Sequence, residues 1–196
     1  MTKRPLIVGL GGSIRPNSIT ERALGIALEH AGRMGCKTRL IGHAELPLEL
    51  YDPGSRERTE RATHLVESLR EADGIVIGTP SYHCGVSGII KNAIDFIEDL
   101  RNDARPYLEG RAVGIIVCAE GMQAMGSTVS SLRDMIHSLR GWPTPYNASI
   151  LTRGNPFGGN GDEADPAALR ACQLVCEEVI DFARMRILTA ASMPRH

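Results

Sequence analysis

The sequence predicts an α/β protein: a three-layer, doubly wound, five-stranded parallel sheet with helices on both faces. Two observations carry this. Three short continuous apolar runs, Leu6 to Leu10, Gly74 to Gly78 and Val113 to Cys118, lack the polar alternation of a half-exposed strand and read as strands buried on both faces. Each strand is followed by a stretch with helix-spaced apolar residues, so strand and helix alternate five times along the chain. That alternation requires right-handed crossovers and hence a parallel sheet.

The first strand closes at Gly11 and Gly12, and after a polar loop Ser18-Ile19-Thr20-Glu21 carries Ser and Glu at capping-box spacing, which starts a helix. Ala23, Leu24, Ala27, Leu28 and Ala31 form its apolar side until Gly32 and Gly35 end it. A second strand lies around Lys37 to Ile41. A loop through Pro47 and Pro53 leads to a charged helix from about Glu57 to Ala72. After the Gly74 to Gly78 strand, Thr79-Pro80 keeps the chain extended, because proline disfavours helical geometry in the residue before it. Ile90, Ala93, Ile94 and Ile97 mark a helix over Ser87 to Glu98. The Val113 to Cys118 strand ends in a glycine-containing loop, Glu120 to Gly126, followed by a helix over roughly Thr128 to Arg140. Pro143 to Leu151 reads as an edge strand, its prolines near the start where a missing N–H is tolerated. The Gly- and Asn-rich loop Thr152 to Asp162 precedes Asp165-Pro166, an N-cap and first helical position for a last helix ending near Met185. Residues 1–188 read as one domain and 189–196 as a flexible tail.

Bulk properties agree with a soluble globular chain: 196 residues, 42% hydrophobic and 23% charged. Twenty-two basic against 23 acidic side chains give a net charge of -1, so no global attraction to nucleic acid or to a membrane surface is expected. Cys36, Cys84, Cys118, Cys172 and Cys176 form neither a CxxC nor a zinc spacing, which points to a reducing cytoplasm and no metal site. The N-terminal apolar stretch is broken by glycines too early for a signal-peptide core or a spanning helix.

Doubly wound sheets bind ligands beyond the C-terminal ends of their strands. Three loops fall there: Gly11 to Ser18, Thr79 to Ser87 and Ala119 to Ser127. The first sets the hydroxyls of Ser13, Ser18 and Thr20, the Asn17 amide and the Arg15 guanidinium between a buried strand and a helix N-terminus, which is an anion site. A plain strand-to-helix turn capped by Ser18 is the alternative, but it leaves Ser13, Arg15 and Thr20 without a reason. Ile14 stands where a dinucleotide fingerprint needs glycine, and the P-loop Gly-Lys-Ser/Thr is absent. A single terminal phosphate, such as that of FMN, suits the cup.

Two segments then carry a family likeness. Gly12-Ser13-Ile14-Arg15-Pro16-Asn17-Ser18 resembles the phosphate loop of the NADPH-dependent FMN reductases, a branch of the flavodoxin-like superfamily that includes quinone, azo and chromate reductases. Thr79-Pro80-Ser81-Tyr82-His83, followed by Ser87-Gly88-Ile89-Ile90-Lys91-Asn92-Ala93-Ile94-Asp95, resembles the family's flavin-ring loop and the helix after it. The resemblance implies strand order 2-1-3-4-5 and an enzyme that moves a hydride from NADPH or NADH to FMN. Two electrons then pass to free flavin, a quinone or another small acceptor. It places Ser13, Arg15, Asn17, Ser18, Ile19 and Thr20 around the FMN phosphate, and Pro80, Ser81, Tyr82 and His83 along the isoalloxazine, with Gly121 letting the backbone approach the ring. It implies a homodimer or homotetramer with the helix Ser87 to Leu100 as interface. Gly85-Val86-Ser87-Gly88 also resembles reductases that hand reduced FMN to a flavin-dependent monooxygenase. Ser81 and His83 stand where the commoner pattern has Glu and Asn, which bears on the acceptor more than on the cofactor.

No catalytic side chain is expected, since hydride transfer to bound flavin requires none. His83 and Cys84 are the tempting exceptions. Cys172 and Cys176, four apart on the last helix, read as core, and Met122 and Met125 as cleft wall or as loop packing. Two other functions stand beside the reductase: a flavodoxin-type electron carrier without its own hydride chemistry, for which a net charge of -1 offers little steering, and a flavin-free interaction protein of the same fold.

Overall fold

The computed structural model describes residues 3–46, 49–159 and 163–192. In chain order it runs β1 (Leu6–Gly11), α1 (Ile19–Arg33), β2 (Lys37–Ile41), α2 (Glu60–Glu71), β3 (Gly74–Tyr82), β4 (Gly85–Val86), α3 (Gly88–Asp95), a 3-10 turn (Phe96–Leu100), β5 (Ala112–Ala119), α4 (Met122–Ser138), β6 (Trp142–Leu151) and α5 (Pro166–Ser192). The parallel strands lie in the order β2-β1-β3-β5-β6, which is the expected 2-1-3-4-5 winding. The addition is β4, which pairs antiparallel with β3 through Tyr82↔Gly85. Its tight turn carries His83 and Cys84 at φ 52° and 63°, left-handed at both central positions, where the twist suits a hairpin. Neither residue is the glycine that would have signalled that turn.

The strand residues divide by parity between two cores. Val8, Leu10, Ile75, Ile77, Val113, Ile115 and Val117 pack against α2, α3 and α4, while Ile7, Val76, Ile116 and Cys118 pack against α1 and α5. On the second face α5 comes in close: a Cβ added at Gly74 or Gly114 would stand 2.4 Å from Val179 or Val175. Cys172 and Cys176 are buried there, as their spacing predicts.

Several boundaries differ from expectation, each for a local reason. The Glu21 carboxylate does not close the capping box. Ser18 Oγ accepts from Glu21 N–H at 3.2 Å, but the Glu21 side chain turns to His43, accepting from its backbone N–H at 3.3 Å and meeting its Nδ1 at 2.8 Å. α2 begins at Glu60 rather than Glu57 because Thr59 is the cap, accepting from Ala62 N–H, while Arg58 is drawn off to Asp99. The helix expected to Glu98 tightens to 3-10 geometry from Phe96. α4 starts at Met122, so most of the expected Glu120 to Gly126 loop is helix, built from the good helix formers Met, Gln and Ala. β6 forms at the sheet edge, and its register against β5 shifts between Val113 and Ile115. α5 continues past Met185 to Ser192, no Gly or Pro intervening, so the expected tail from 189 is helical through Ser192, and 193–196 lie outside the described residues. Pro47 and the end of the loop to Asp162 also lie outside them.

Candidate active site

Order reverses between β1 and β3, and the crevice beyond their C-terminal ends is where a ligand meets backbone from several strands at once. A cleft of ≈ 690 Å³ opens there. Its first wall is the segment between β1 and α1. Gly11 (φ 140°) turns the chain, and a Cβ there would stand 1.9 Å from the Gly78 carbonyl oxygen; Gly12 N–H donates to that same oxygen at 3.2 Å. Only glycine lets β1 end so tightly against β3.

From this anchored turn Ser13, Arg15, Pro16, Asn17, Ser18, Ile19 and Thr20 all face the cleft. The hydrogen bonding of the two serines is informative. Ser13 Oγ accepts from Arg15 N–H at 3.1 Å and Ser18 Oγ from Glu21 N–H at 3.2 Å, so each hydroxyl keeps its proton free to donate outward. Asn17 holds a left-handed φ of 55°, which asparagine tolerates well. The Arg15 guanidinium is exposed and makes no hydrogen bond or ion pair among the described residues. Thr20 is buried beside Cys118, whose thiol is pushed up to about 12 by burial, the Thr20 hydrogen bond opposing the shift.

The second wall is the β3–β4 hairpin, with Pro80, Ser81, Tyr82 and His83 on the cleft. Tyr82 is exposed. The Ser81 hydroxyl is already engaged, lying 3.1 Å from Ala124 O and 2.7 Å from Thr128 Oγ1, and so ties the hairpin to α4 rather than facing a ligand. Thr79 is buried and accepts from Ser87 N–H at 3.2 Å, fixing the return of the hairpin. His83 borders the cleft, whereas Cys84 sits exposed at the tip and does not.

The third wall is short. Gly121 lines the cleft as N-cap of α4, but at φ -133° with nothing within 4 Å of an added Cβ, so its backbone approach does not depend on glycine. Met122 is exposed and Met125 buried in the core, and neither lines the cleft.

All eleven residues singled out from the sequence therefore line one cleft. Missed as site residues were Pro16, Cys118, Ala119, Glu120, Ala124 and Thr152. Thr152 was findable, since it follows the fifth strand at the same edge of the sheet. The loop it begins is pinned by Arg22 of α1, which donates to Asn155 Oδ1, Phe157 O and Gly158 O, each at 2.7 Å, and lies over the Phe157 ring. A smaller groove of ≈ 250 Å³ continues from the cleft past Arg15 and Tyr82 to Ile14, Gly88 and Ile89.

Comparison with known proteins is consistent across sequence and structure. Residues 5–155 match the family model for NADPH-dependent FMN reductase. An FMN-dependent NADPH-azoreductase of Staphylococcus aureus is 30% identical over 180 residues, 87% of this chain and 91% of that one. Among solved structures, the flavoenzyme NAD(P)H:(acceptor) oxidoreductase FerB of Paracoccus denitrificans superposes with a TM-score of 0.74 at 19% identity, covering 93% of this chain and 98% of the other. The apo form of an NADH:FMN oxidoreductase, EMOB, gives 0.63 at 19% identity over 97% and 92%. At these identities the two structures speak for the fold.

Proposed function

Since the chain belongs to the NADPH-dependent FMN reductase family, and is thereby an NAD(P)H-dependent FMN oxidoreductase, we propose that the cleft at the β1–β3 switch point is where it holds the flavin. The observation that carries this reading is the convergence of Ser13, residues 15–20, residues 80–83 and Gly121, from three segments far apart in sequence, on one cleft of ligand-binding size.

The residues present fit FMN. Ser13 and Ser18, each accepting a backbone N–H, would offer their own O–H donors to the phosphate, and Arg15, without a protein partner among the described residues, would supply charge and a planar fork. The free N–H groups at the start of α1 add the positive end of the helix dipole. Pro80, Tyr82 and His83 form the wall for the ring, and Ser81 acts by holding that wall to α4. Bound there, FMN supplies two-electron chemistry, accepting a hydride from NADPH or NADH and passing electrons to a small-molecule acceptor. The protein's part is to bind, orient and leave one ring face open, so no side chain is assigned a proton transfer. The dinucleotide and the acceptor would then have to enter the same cleft in turn. Among the described residues no helix is long and apolar enough to cross a membrane. A homodimer or homotetramer built on α3 belongs to the same reading, because Gly88 and Ile89 at the start of α3 line the groove that continues from the cleft.

The test is an absorption spectrum of the purified protein followed by anaerobic addition of NADPH, with bleaching of a bound-flavin band expected. Arg15→Ala should weaken FMN by roughly 10-fold to over 100-fold, the equivalent of losing a charge-assisted contact of ~1.5 to 3 kcal/mol. Unchanged affinity in that variant removes Arg15 from the site, and a protein that takes up no FMN overturns the assignment of the cleft.

A further inference from the structure

A second cavity lies at the opposite, N-terminal edge of the sheet, independent of the flavin cleft. Its volume is ≈ 670 Å³. One wall is formed by Asp73, immediately before β3, and Gly110, two residues before β5, and the other by the last turns of α5, where Ala183, Ile187 and Ala191 give an apolar floor. α5 is long enough to overhang the start of the sheet, which is why this space exists.

The charges around the cavity do not balance. Asp73 is the one carboxylate lining it among the described residues, and it is fully engaged: Oδ1 accepts from Lys3 Nζ at 2.7 Å and Oδ2 from Leu6 N–H at 2.9 Å. Two further cations line the space. Arg105 donates only to backbone carbonyls, Arg70 O at 2.9 Å and Ala72 O at 3.2 Å. Arg186 makes no hydrogen bond or ion pair among the described residues, and its Nη2 crosses to within 3.4 Å of where a Gly110 Cβ would stand. Immediately behind, Arg111 is buried at 1% exposure and is likewise met only by carbonyls, those of Arg70, Ala72, Tyr107 and Glu109. Three guanidinium groups thus share one region without a carboxylate bonded to any of them. Burial holds the Arg111 guanidinium down to about 10, and the repulsion of Arg105 and Arg70 works against the favourable charges of Asp103 and Asp73, neither of which is bonded to it.

We propose that this cavity is a binding site for a small amphiphilic anion, its carboxylate or phosphate head between Arg105 and Arg186 and its apolar body along the Ala183–Ile187–Ala191 face of α5. Charge complementarity sets the head and the apolar floor sets the tail. A pocket mostly apolar with a few convergent polar groups is the usual form of a small-molecule site. Its occupant bridges the end of α5 to the starts of β3 and β5.

The test uses the full-length FMN-loaded protein and sodium octanoate as probe, followed by calorimetry and thermal unfolding. Octyl glucoside serves as the neutral tail control and inorganic phosphate as the tailless anion. Octanoate should bind saturably and raise the unfolding temperature, at least tenfold more tightly than either control. Arg186→Met, which breaks no bond seen in the fold, should cost at least tenfold in octanoate affinity while leaving NADPH oxidation unchanged. Arg15→Ala, at the other end of the sheet, should leave octanoate binding intact. Octyl glucoside binding as tightly as octanoate, phosphate binding as tightly, octanoate affinity unmoved in Arg186→Met, or loss of octanoate binding in Arg15→Ala would each overturn the proposal, and none of these results bears on FMN uptake.

Discussion

Replacing Gly11 by alanine should be the most damaging single-methyl change in the molecule. The added Cβ would stand 1.9 Å from the Gly78 carbonyl oxygen, about 1.5 Å short of ordinary contact, and the obstacle is backbone in the adjacent central strand, not a side chain that can swing away. Three costs follow. Overpacking against an immobile group typically costs ~1–3 kcal/mol, the φ of 140° adds roughly 1–2 for a residue with a Cβ, and prising β1 from β3 weakens the Gly12 N–H to Gly78 O bond, worth about 1. A total of about 3–6 kcal/mol is a large fraction of a domain's stability. For a chain of this size it lowers the melting temperature by ~6–24 °C. Thermal and urea unfolding of the flavin-free protein measure this directly. Gly121→Ala is the contrast: with nothing within 4 Å and φ -133° the methyl meets no backbone, so it should cost no more than about 1 kcal/mol, the difference between glycine and alanine as an N-cap. A Gly11→Ala protein melting within ~2 °C of the parent would refute the argument, because it would mean the strand ends separate at almost no cost.

Arg22→Met should loosen the loop over residues 153–159 by removing all three donated bonds, raising its amide hydrogen exchange by on the order of 10- to 100-fold, the equivalent of ~1.5–3 kcal/mol. Unchanged exchange there would show that the loop holds without this strut. Among the thiols, Cys84 should react with iodoacetamide in the native protein while the other four react only after unfolding. Burial raises Cys36 and pushes Cys118, Cys172 and Cys176 up to about 12, and a second fast-reacting thiol in peptide mapping would contradict it.

What the sequence made legible follows from what burial imposes. β1, β3 and β5 could be read because helices cover both faces, leaving no room for a polar residue at Ile7 to Leu10, Ile75 to Ile77 or Val113 to Cys118. The first loop could be read because hydroxyl, amide and guanidinium groups have no other reason to cluster between a buried strand and a helix start. The hairpin at His83-Cys84 could not, since its left-handed turn is imposed by the surrounding contacts, Thr79 to Ser87 and Ser81 to Thr128, which a local window does not contain. The start of α4 was hidden by Gly121 and Gly126, which look like loop but are tolerated at a cap and within an exposed turn. The engagement of the Ser81 hydroxyl and the Arg22 strut depend on partners 43 or more residues away, and no spacing rule reaches that far.

The donor accounting of the cleft gives the proposed flavin site a direction. At one end the Ser13 and Ser18 protons and the Arg15 guanidinium are donors that no acceptor among the described residues consumes, and beside them the first turn of α1 keeps N–H groups beyond that of Glu21, which Ser18 Oγ takes up. At the other end Ser81 is engaged by α4, Pro80 has no N–H to give, Ala119 is apolar, and Glu120 brings a carboxylate. A ligand with a doubly charged phosphate at one end and a flat, largely apolar ring at the other is therefore oriented by the field as well as by shape, since reversing it would set phosphate beside Glu120 and leave the donors around Arg15 without an acceptor. Selection for a mononucleotide flavin then rests on where the unspent hydrogen-bond donors lie, and that distribution is set by the caps and turns that hold the first loop in place.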